Sequence, residues 1–482
     1  MKKNCLITFL LAFVLSVNTT VFATGSASPS PSPSAQTQNE NSETKKSSFP
    51  VPTAESAIVL DSRSGDVIYA LEADKKVYPA GLTNIMTALL VLENKNLADS
   101  CQITAEALAT VTYDQPQLGI AVGETYTVEQ LLHAIILNSN NDASNALAIS
   151  VSGSIDEFVK KMNEKAAELG LTGTNFANPS GLHNENHYTT AADMGKLARY
   201  AMKNQTLCDI AKTQKYTFPP TGVRAQEKTI LSTNHLVSRY KYPYHYYANA
   251  TGLKSGNSEA AGYCLVASAV KNGFNVLSIV MGAPNADANE KAYSFKNTIA
   301  IFDYVFENYK SVLLVKKGDV IHDSKVEESK NSTRLALTVE EDVYTTLKAT
   351  ADADIIKNNI EVTEKAIAPI EQGQVFGTVT YSYNDRELTK VNLVAANEVK
   401  RDFILHAINS VLGFIFHPIV IIILLIILYV WARLRIARNR KRRIRHSRMV
   451  SQRRNSVGTS SRTRTTTTTR SGASSTYTRR RR

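Results

Sequence analysis

A long apolar stretch lies near the carboxyl end of the chain, over residues 411–431. Its 21 residues match the roughly 20 that an α-helix needs to cross the hydrocarbon core of a bilayer. His417 and Pro418 interrupt the stretch, but a membrane helix tolerates one proline, and residues 419–430 lack the polar face of a surface-bound helix. The sequence therefore predicts one transmembrane helix over residues 409–432, with the folded domains before it.

The positive charge of the chain is concentrated after this stretch. Residues 433–482 contain 18 Lys and Arg and no acidic residue, whereas the rest of the chain contains 37 basic and 43 acidic residues. Cations beside a span remain in the cytoplasm, which predicts an extracytoplasmic folded region and a basic, disordered cytoplasmic tail resting on anionic lipid. Nucleic-acid binding is not expected, because no aromatic platform or folded motif accompanies the charge.

The amino-terminal residues have the pattern of a secretory signal. Lys2 and Lys3 precede an apolar run over residues 6–17, and a small-residue pattern ends at Ala23. We expect residues 1–23 to be removed, since the apolar run is too short to span a bilayer. Residues 24–52 are rich in Ser and Pro and then polar, which predicts a disordered linker.

Cysteine and histidine usage gives no sign of a metal centre. Cys101, Cys208 and Cys264 are widely spaced and odd in number, so they are neither a disulfide framework nor a ligand set. His183 and His187 lie in a Gly- and Asn-rich loop rather than on a helix that would align their rings. We expect no metal and no cofactor.

The region before the span contains local signals for both strands and helices. Residues 56–71 alternate around a Ser-Gly turn and predict a hairpin, and residues 82–90 carry an apolar stripe with helical spacing. Thr127 and Gln130 predict a capping box for a helix that ends near residue 138, with a further helix after residue 142. Two strands flank a turn at residues 271–273.

Strands at both ends of this region and helices in its middle predict an antiparallel sheet packed on helices. The fold class is therefore an α+β or three-layer domain over residues 53–310. From residue 311 to 398 the pattern changes to short alternating segments separated by Gly, Asn and Asp. These predict a separate, small all-β domain.

Three short polar segments follow one another in the larger domain: residues 79–84 at a helix start, 139–141 between helices, and 254–256 on a strand. The last two resemble the S-x-N and K-T/S-G elements of penicillin-recognising serine enzymes. Their surroundings, including LLHAIILNSNNDASNALAISVSG and TGLKSGNSEAAGYCLVASAV, resemble the D-alanyl-D-alanine carboxypeptidases, low-molecular-mass penicillin-binding proteins of peptidase type S11. These enzymes trim the peptide stems of bacterial peptidoglycan.

The resemblance spans about residues 53–398 and includes IAPIEQGQVFGTVTY in the β domain. It implies a β-lactamase- and transpeptidase-like first domain, the all-β domain that follows it in the family, and a carboxyl-terminal membrane attachment. It also implies a substrate, the peptidoglycan stem peptide that ends in D-Ala-D-Ala.

The first segment departs from the family pattern at both chemically essential positions. The family element is S-x-x-K, in which Ser attacks the peptide carbonyl and Lys takes its proton, and here those positions are Gly81 and Asn84. Glycine has no side chain, and an asparagine amide does not accept a proton near neutral pH. Losing both members of such a unit costs on the order of 10⁶ in rate.

No other residue replaces them in the sequence. The hydroxyl of Thr83 lies about 200° around the helix axis from position 81. Other S-x-x-K strings stand at residues 42–45, 238–241 and 268–271, in the linker, in a loop and at a strand end. None of the three opens a helix that faces the other two elements.

The second and third elements are retained, at Ser139, Asn141, Lys254, Ser255 and Gly256. Lys254 and Ser255 suit a terminal carboxylate, because charge-assisted hydrogen bonds are strong. Ser139 and Asn141 suit the main chain of a peptide. The resemblance also implies that main-chain N–H groups at Gly81 and Asn257 point at the bound carbonyl, and these do not depend on side chains.

These observations predict a membrane-anchored pseudoenzyme of bacterial cell-wall metabolism that binds stem peptides or other cell-wall proteins. Two alternatives stay open. The protein is an active serine-type carboxypeptidase through an unanticipated nucleophile, or it is a cell-envelope scaffold whose cleft is unused.

Overall fold

The computed structural model describes residues 48–240, 243–285, 293–329, 333–362 and 365–455. The predicted signal peptide, the linker up to residue 47 and the tail beyond residue 455 lie outside the described residues. The strands of the first domain are β1 (Ser56–Asp61), β2 (Val67–Leu71), β3 (Ser100–Gln102), β4 (Thr125–Thr127), β5 (Lys215–Phe218), β6 (Lys228–Leu231), β7 (Ala250–Ser258), β8 (Gly262–Lys271) and β9 (Phe274–Ala283).

The helices of the first domain lie mostly between β2 and β5. They are α1 (Asn84–Asn94), α2 (Ala105–Leu108), α3 (Val128–Asn138), α4 (Asn141–Ser152), α5 (Ile155–Glu168), α6 (Ala191–Ala201), α7 (Gln205–Lys212) and, after β9, α8 (Tyr293–Asn308).

Five antiparallel strands form the central sheet, in the order β2-β1-β9-β8-β7. The β1–β2 hairpin and the β8–β9 turn are those predicted from the sequence, and Asn272 and Gly273 in that turn have the positive φ of a tight hairpin connection. Both faces of the sheet are covered. Along β1, Ile58 and Leu60 pack on the helical layer, whereas Ala57 and Val59 face the α8 side. This three-layer arrangement confirms the predicted fold class.

Local sequence determines where α3 and α4 begin. The Thr127 hydroxyl accepts from the Gln130 main chain at 3.2 Å while the Gln130 side chain accepts from the Thr127 N–H at 2.8 Å, so the predicted capping box is present. The next helix begins at Asn141 rather than after Asp142, because that aspartate takes the first-turn position favoured by acidic residues. Between the helices, Ser139 has a left-handed φ of 53°.

The described part of the second domain is built of β-strands, as expected, with a short 3-10 turn at Ala353–Ile355. The strands are β10 (Tyr309–Val315), β11 (His322–Lys325), β12 (Arg334–Thr338), β13 (Val343–Lys348), β14 (Lys357–Val362), β15 (Val375–Tyr383) and β16 (Arg386–Ala395). Five form a sheet in the order β11-β12-β16-β15-β14, and β10 pairs with β13.

The turn between β1 and β2 joins the two domains. The Asp61 carboxylate accepts hydrogen bonds from Ser311 Oγ at 2.7 Å and Thr346 Oγ1 at 3.1 Å, and Asp66 accepts from the Thr346 main chain at 2.6 Å. These bonds to anionic acceptors fix the β10–β13 pair against the central sheet.

Two helices end the described chain: α9 (Phe403–Ile415) and α10 (Pro418–Asn455). One helix is long and apolar enough to cross a membrane, over Pro418–His446, and its apolar side chains are exposed. The span was predicted to begin at residue 409, inside α9. The difference arises at Pro418, which lacks the N–H that would continue α9 and instead starts a new helix.

Candidate active-site cleft

The three polar segments meet where the helical layer approaches the end of β7. Gly81 lies in a buried 3-10 turn just before α1. A Cβ atom at Gly81 would lie 2.5 Å from Ser139 Oγ and 3.5 Å from Gly256 Cα. The second and third segments therefore line the space that a side chain at position 81 would enter.

Asn84 is fully buried one turn further along and is held in place by its amide. Its Nδ2 donates to Ser144 Oγ at 3.0 Å and to the Pro179 carbonyl at 3.2 Å. Its Oδ1 has no hydrogen-bond partner among the described residues. Because both amide protons are used and the oxygen is not basic, Asn84 supplies neither a general base nor a positive charge.

Thr83 is held away from the cleft by a buried histidine. Ala177 N–H donates to His187 Nδ1 at 3.3 Å, so His187 Nε2 carries the proton and donates to Thr83 Oγ1 at 2.9 Å. The Thr83 hydroxyl in turn donates to the Ala80 carbonyl at 2.9 Å. Burial, with a smaller effect of His183, lowers the pKa of His187 to about 4, so the ring is neutral near pH 7.

The two loop histidines have separate partners. His183 packs edge-on against Tyr78, with ring centroids 4.7 Å apart, while His187 lies beside Phe176. Within the described residues, no group of three or more His, Cys, Asp or Glu side chains is placed to hold a metal ion.

Lys254 joins the sheet to the helical layer. Its side chain is fully buried, and Nζ donates to Ser139 Oγ at 2.6 Å and to the Ser255 carbonyl at 2.7 Å. Burial lowers the pKa of the Lys254 ammonium to about 7, because a charge is costly away from water. A bound anion beside it would favour the protonated form.

Ser255 is paired with a residue that the sequence did not single out. Its Oγ lies 2.9 Å from Thr233 Oγ1, and Thr233 also contacts the Leu137 carbonyl at the end of α3. Asn257, two positions further along β7, is exposed. Because Thr233 Oγ1 donates its one proton to the Leu137 carbonyl, Ser255 Oγ is the donor within this pair.

The Asn141 side chain faces a second unpredicted partner. Its Nδ2 donates to Gln115 Oε1 at 3.1 Å, and its main-chain N–H donates to the Pro116 carbonyl at 2.8 Å. The carboxylate of Asp142, the next residue, accepts N–H donors from the same loop. No sequence motif signals these contacts, because the loop carries no regular pattern.

The chance S-x-x-K strings contribute nothing to the cleft in the described residues. Ser268 bonds Thr251 Oγ1 at 2.7 Å and the Gly252 carbonyl at 3.3 Å, within the β7–β8 pair. The string at residues 42–45 and Lys241 lie outside the described residues.

Comparison with known proteins agrees with this architecture. A family model described as D-alanyl-D-alanine carboxypeptidase matches residues 43–285, half of the chain, and one described as the carboxyl-terminal domain of penicillin-binding protein 5 matches residues 309–401. The chain belongs to the D-alanyl-D-alanine carboxypeptidase family.

Individual members of the family resemble most of the chain. The carboxypeptidase DacF of Bacillus subtilis is 31% identical over 363 residues, covering 74% of this chain and 88% of DacF. The solved penicillin-binding protein 5 of Haemophilus influenzae superposes with a TM-score of 0.62 at 26% identity, covering 74% of this chain and all of that structure. A Streptococcus pneumoniae structure, described as a peptidoglycan synthesis regulatory factor, gives 0.59 at 26% identity, covering 73% of this chain and all of that structure.

The geometry predicts that the family chemistry can be restored by two substitutions. We expect the double variant Gly81→Ser/Asn84→Lys to be labelled covalently by a fluorescent penicillin. The new Cβ requires that Ser139 Oγ rotate away and that Ser139 Cβ, 3.2 Å from it, give by a few tenths of an ångström, and the lysine supplies the missing base. Labelling should be about 100-fold faster than in the single variant Gly81→Ser, which has no such base. A folded double variant that stays unlabelled would show that the cleft is not intact.

Proposed function

We propose that this family member binds peptidoglycan stem peptides ending in D-Ala-D-Ala without hydrolysing them. The observation that supports the proposal most strongly is the first segment, where Gly81 offers no nucleophile and the Asn84 amide protons are bound to Ser144 and Pro179. The remaining groups of the cleft suit recognition. A loss of about 10⁶ in rate leaves no useful turnover.

The cleft chemistry matches a peptide that ends in a carboxylate. The Ser255 hydroxyl, which donates to Thr233 in the free cleft, can turn to a bound carboxylate, and Lys254 beside it is a cation once an anion is bound. Ser139 is only half-buried and can contact the peptide from the opposite side. These groups need no activation, so binding survives where catalysis does not.

The proposed location is the outer face of a bacterial cell membrane, with α10 as the single anchor and the basic tail in the cytoplasm. The Arg433 guanidinium lies 5.6 Å from the ring centroid of Tyr429, and that of Arg435 lies 5.0 Å from the ring centroid of Trp431. Aromatic rings and cations at one level of a helix are typical of a membrane–water interface. The positive flank places that interface on the cytoplasmic side.

A regulatory or structural role follows from binding without turnover. A stem-peptide binder anchored in the membrane can mark or occupy uncleaved stems for other cell-wall proteins. The pneumococcal relative described as a peptidoglycan synthesis regulatory factor supports a role of this kind.

Removing the buried ammonium tests the binding proposal. We expect Lys254→Met to weaken binding of an acylated L-Lys-D-Ala-D-Ala tripeptide by about 30-fold or more, because a charge-assisted hydrogen bond is lost. Isothermal titration of the full-length protein in nanodiscs measures the change. Lys271→Met, on the exposed end of β8, is the matched control and should bind as the wild type does. Equal affinity of Lys254→Met and Lys271→Met for the tripeptide, or no binding by the wild type, would contradict the proposal that the cleft binds stem peptides through Lys254.

Binding should also depend on pH. Free Lys254 has a pKa of about 7, and a bound carboxylate raises it, so binding above neutral pH takes up a proton. The affinity should therefore fall as pH rises. The fall is up to about tenfold per pH unit between the pKa of Lys254 in the ligand-free protein and its pKa in the complex. Titrations at about pH 6 and about pH 9 measure this, and the slope should vanish in Lys254→Met. A pH-independent wild-type affinity would contradict the role given to this ammonium.

A further inference from the structure

A buried carboxylate fixes the loop that borders the cleft. Asp142 is 1% exposed, and its oxygens accept N–H bonds from Leu118 at 2.9 Å, Gly119 at 2.7 Å and Ile120 at 3.3 Å. Bonds between main-chain donors and an anion are strong, so this part of the loop has one arrangement relative to the start of α4. The rim of the cleft is therefore built before any ligand arrives.

The fixed loop places Gln115 against the amide of Asn141. Asn141 N–H donates to the Pro116 carbonyl at 2.8 Å, and Asn141 Nδ2 donates to Gln115 Oε1 at 3.1 Å. Asn141 is 7% exposed, whereas Gln115 is half-buried and reaches the surface. Two neutral amides thus lie side by side at the edge of the cleft.

The contact between Asn141 and Gln115 leaves one hydrogen-bond acceptor and one donor of the pair for a ligand. The contact uses the oxygen of Gln115 and one proton of Asn141, which orients Asn141 Oδ1 as an acceptor and Gln115 Nε2 as a donor. A peptide unit presents one carbonyl acceptor and one N–H donor. The pair complements a main chain rather than any particular side chain.

We propose that Gln115 determines specificity for the peptide backbone of the stem. Its Nε2 donates to a main-chain carbonyl of the bound peptide, and its Oε1 holds Asn141 so that Asn141 Oδ1 accepts a main-chain N–H. This assignment rests on the proposed function, because it concerns the same ligand in the same cleft.

The substitution Gln115→Glu separates the two tasks of this side chain. A glutamate keeps the oxygen that binds Asn141 Nδ2 but has no donor for the ligand. Gln117→Glu is the matched control, since it adds the same charge to the same loop and likewise removes an Nε2 donor, one that bonds the Thr112 carbonyl at 3.2 Å. Gln115→Ala removes both tasks at once.

We expect Gln115→Glu to weaken binding of acylated L-Lys-D-Ala-D-Ala by about tenfold, the equivalent of one hydrogen bond, and Gln115→Ala, which also releases Asn141, to weaken it further, with the melting temperature unchanged in both. Gln117→Glu should remain within about twofold of the wild type. Isothermal titration of full-length protein in nanodiscs gives the affinities. Wild-type affinity in Gln115→Glu, or an equal loss in Gln117→Glu, overturns the assignment.

The same titrations distinguish this proposal from the one it rests on. If the wild type binds, Lys254→Met does not, and Gln115→Glu binds as the wild type does, only the assignment of Gln115 fails. If the wild type does not bind the tripeptide, stem-peptide binding fails, and the assignment of Gln115 fails with it.

Discussion

The hydrogen bond between Lys254 Nζ and Ser139 Oγ holds the cleft together. It connects the edge strand of the central sheet to the break between α3 and α4, across 115 residues of sequence. The lysine end of the bond is fully buried, which lowers the pKa of Lys254 to about 7, whereas Ser139 is half-buried and reaches the open cleft. Every other group in the cleft lies on one of the two segments that this contact brings together, or packs against them.

Catalysis and recognition depend on different atoms of this cleft. Acyl transfer by the family chemistry needs a nucleophile and a base on one helical turn, and the chain has Gly81 and Asn84 at these two positions. Recognition of a carboxylate and a peptide main chain needs hydrogen-bond donors and acceptors that the fold holds in fixed positions. Asn84 is itself held in the fold by its amide protons, which bond Ser144 and Pro179, while its buried Oδ1 has no partner among the described residues. The family fold is present here, and the proposal of binding without turnover rests on this difference between the two sets of atoms.

Local patterns predicted the parts of the structure that local chemistry controls. The β1–β2 hairpin, the capping box at Thr127 and the turn at residues 271–273 each depend on a few neighbouring residues, and each is present. The prediction of one span over residues 409–432 treated Pro418 as a tolerated interruption, whereas the described chain has two helices there, because a proline without an N–H ends one helix and begins another.

The unpredicted parts of the site depend on contacts between distant segments. Thr233 meets Ser255 across 22 residues, and Gln115 meets Asn141 across 26, with nothing in either short sequence to signal the pairing. The resemblance to the carboxypeptidases supplied the three polar segments but not the side chains that surround them. Those side chains follow from tertiary packing, which determines which polar groups face the cleft.

The central claim is that nothing in the native cleft can be acylated. Intact-mass spectrometry of the wild-type protein after prolonged exposure to a β-lactam tests it most directly, with a family carboxypeptidase as the positive control. The account predicts that the control gains the mass of the β-lactam and that this protein keeps its unmodified mass. A stable adduct on the wild-type protein, mapped to any residue of the cleft, would contradict the account.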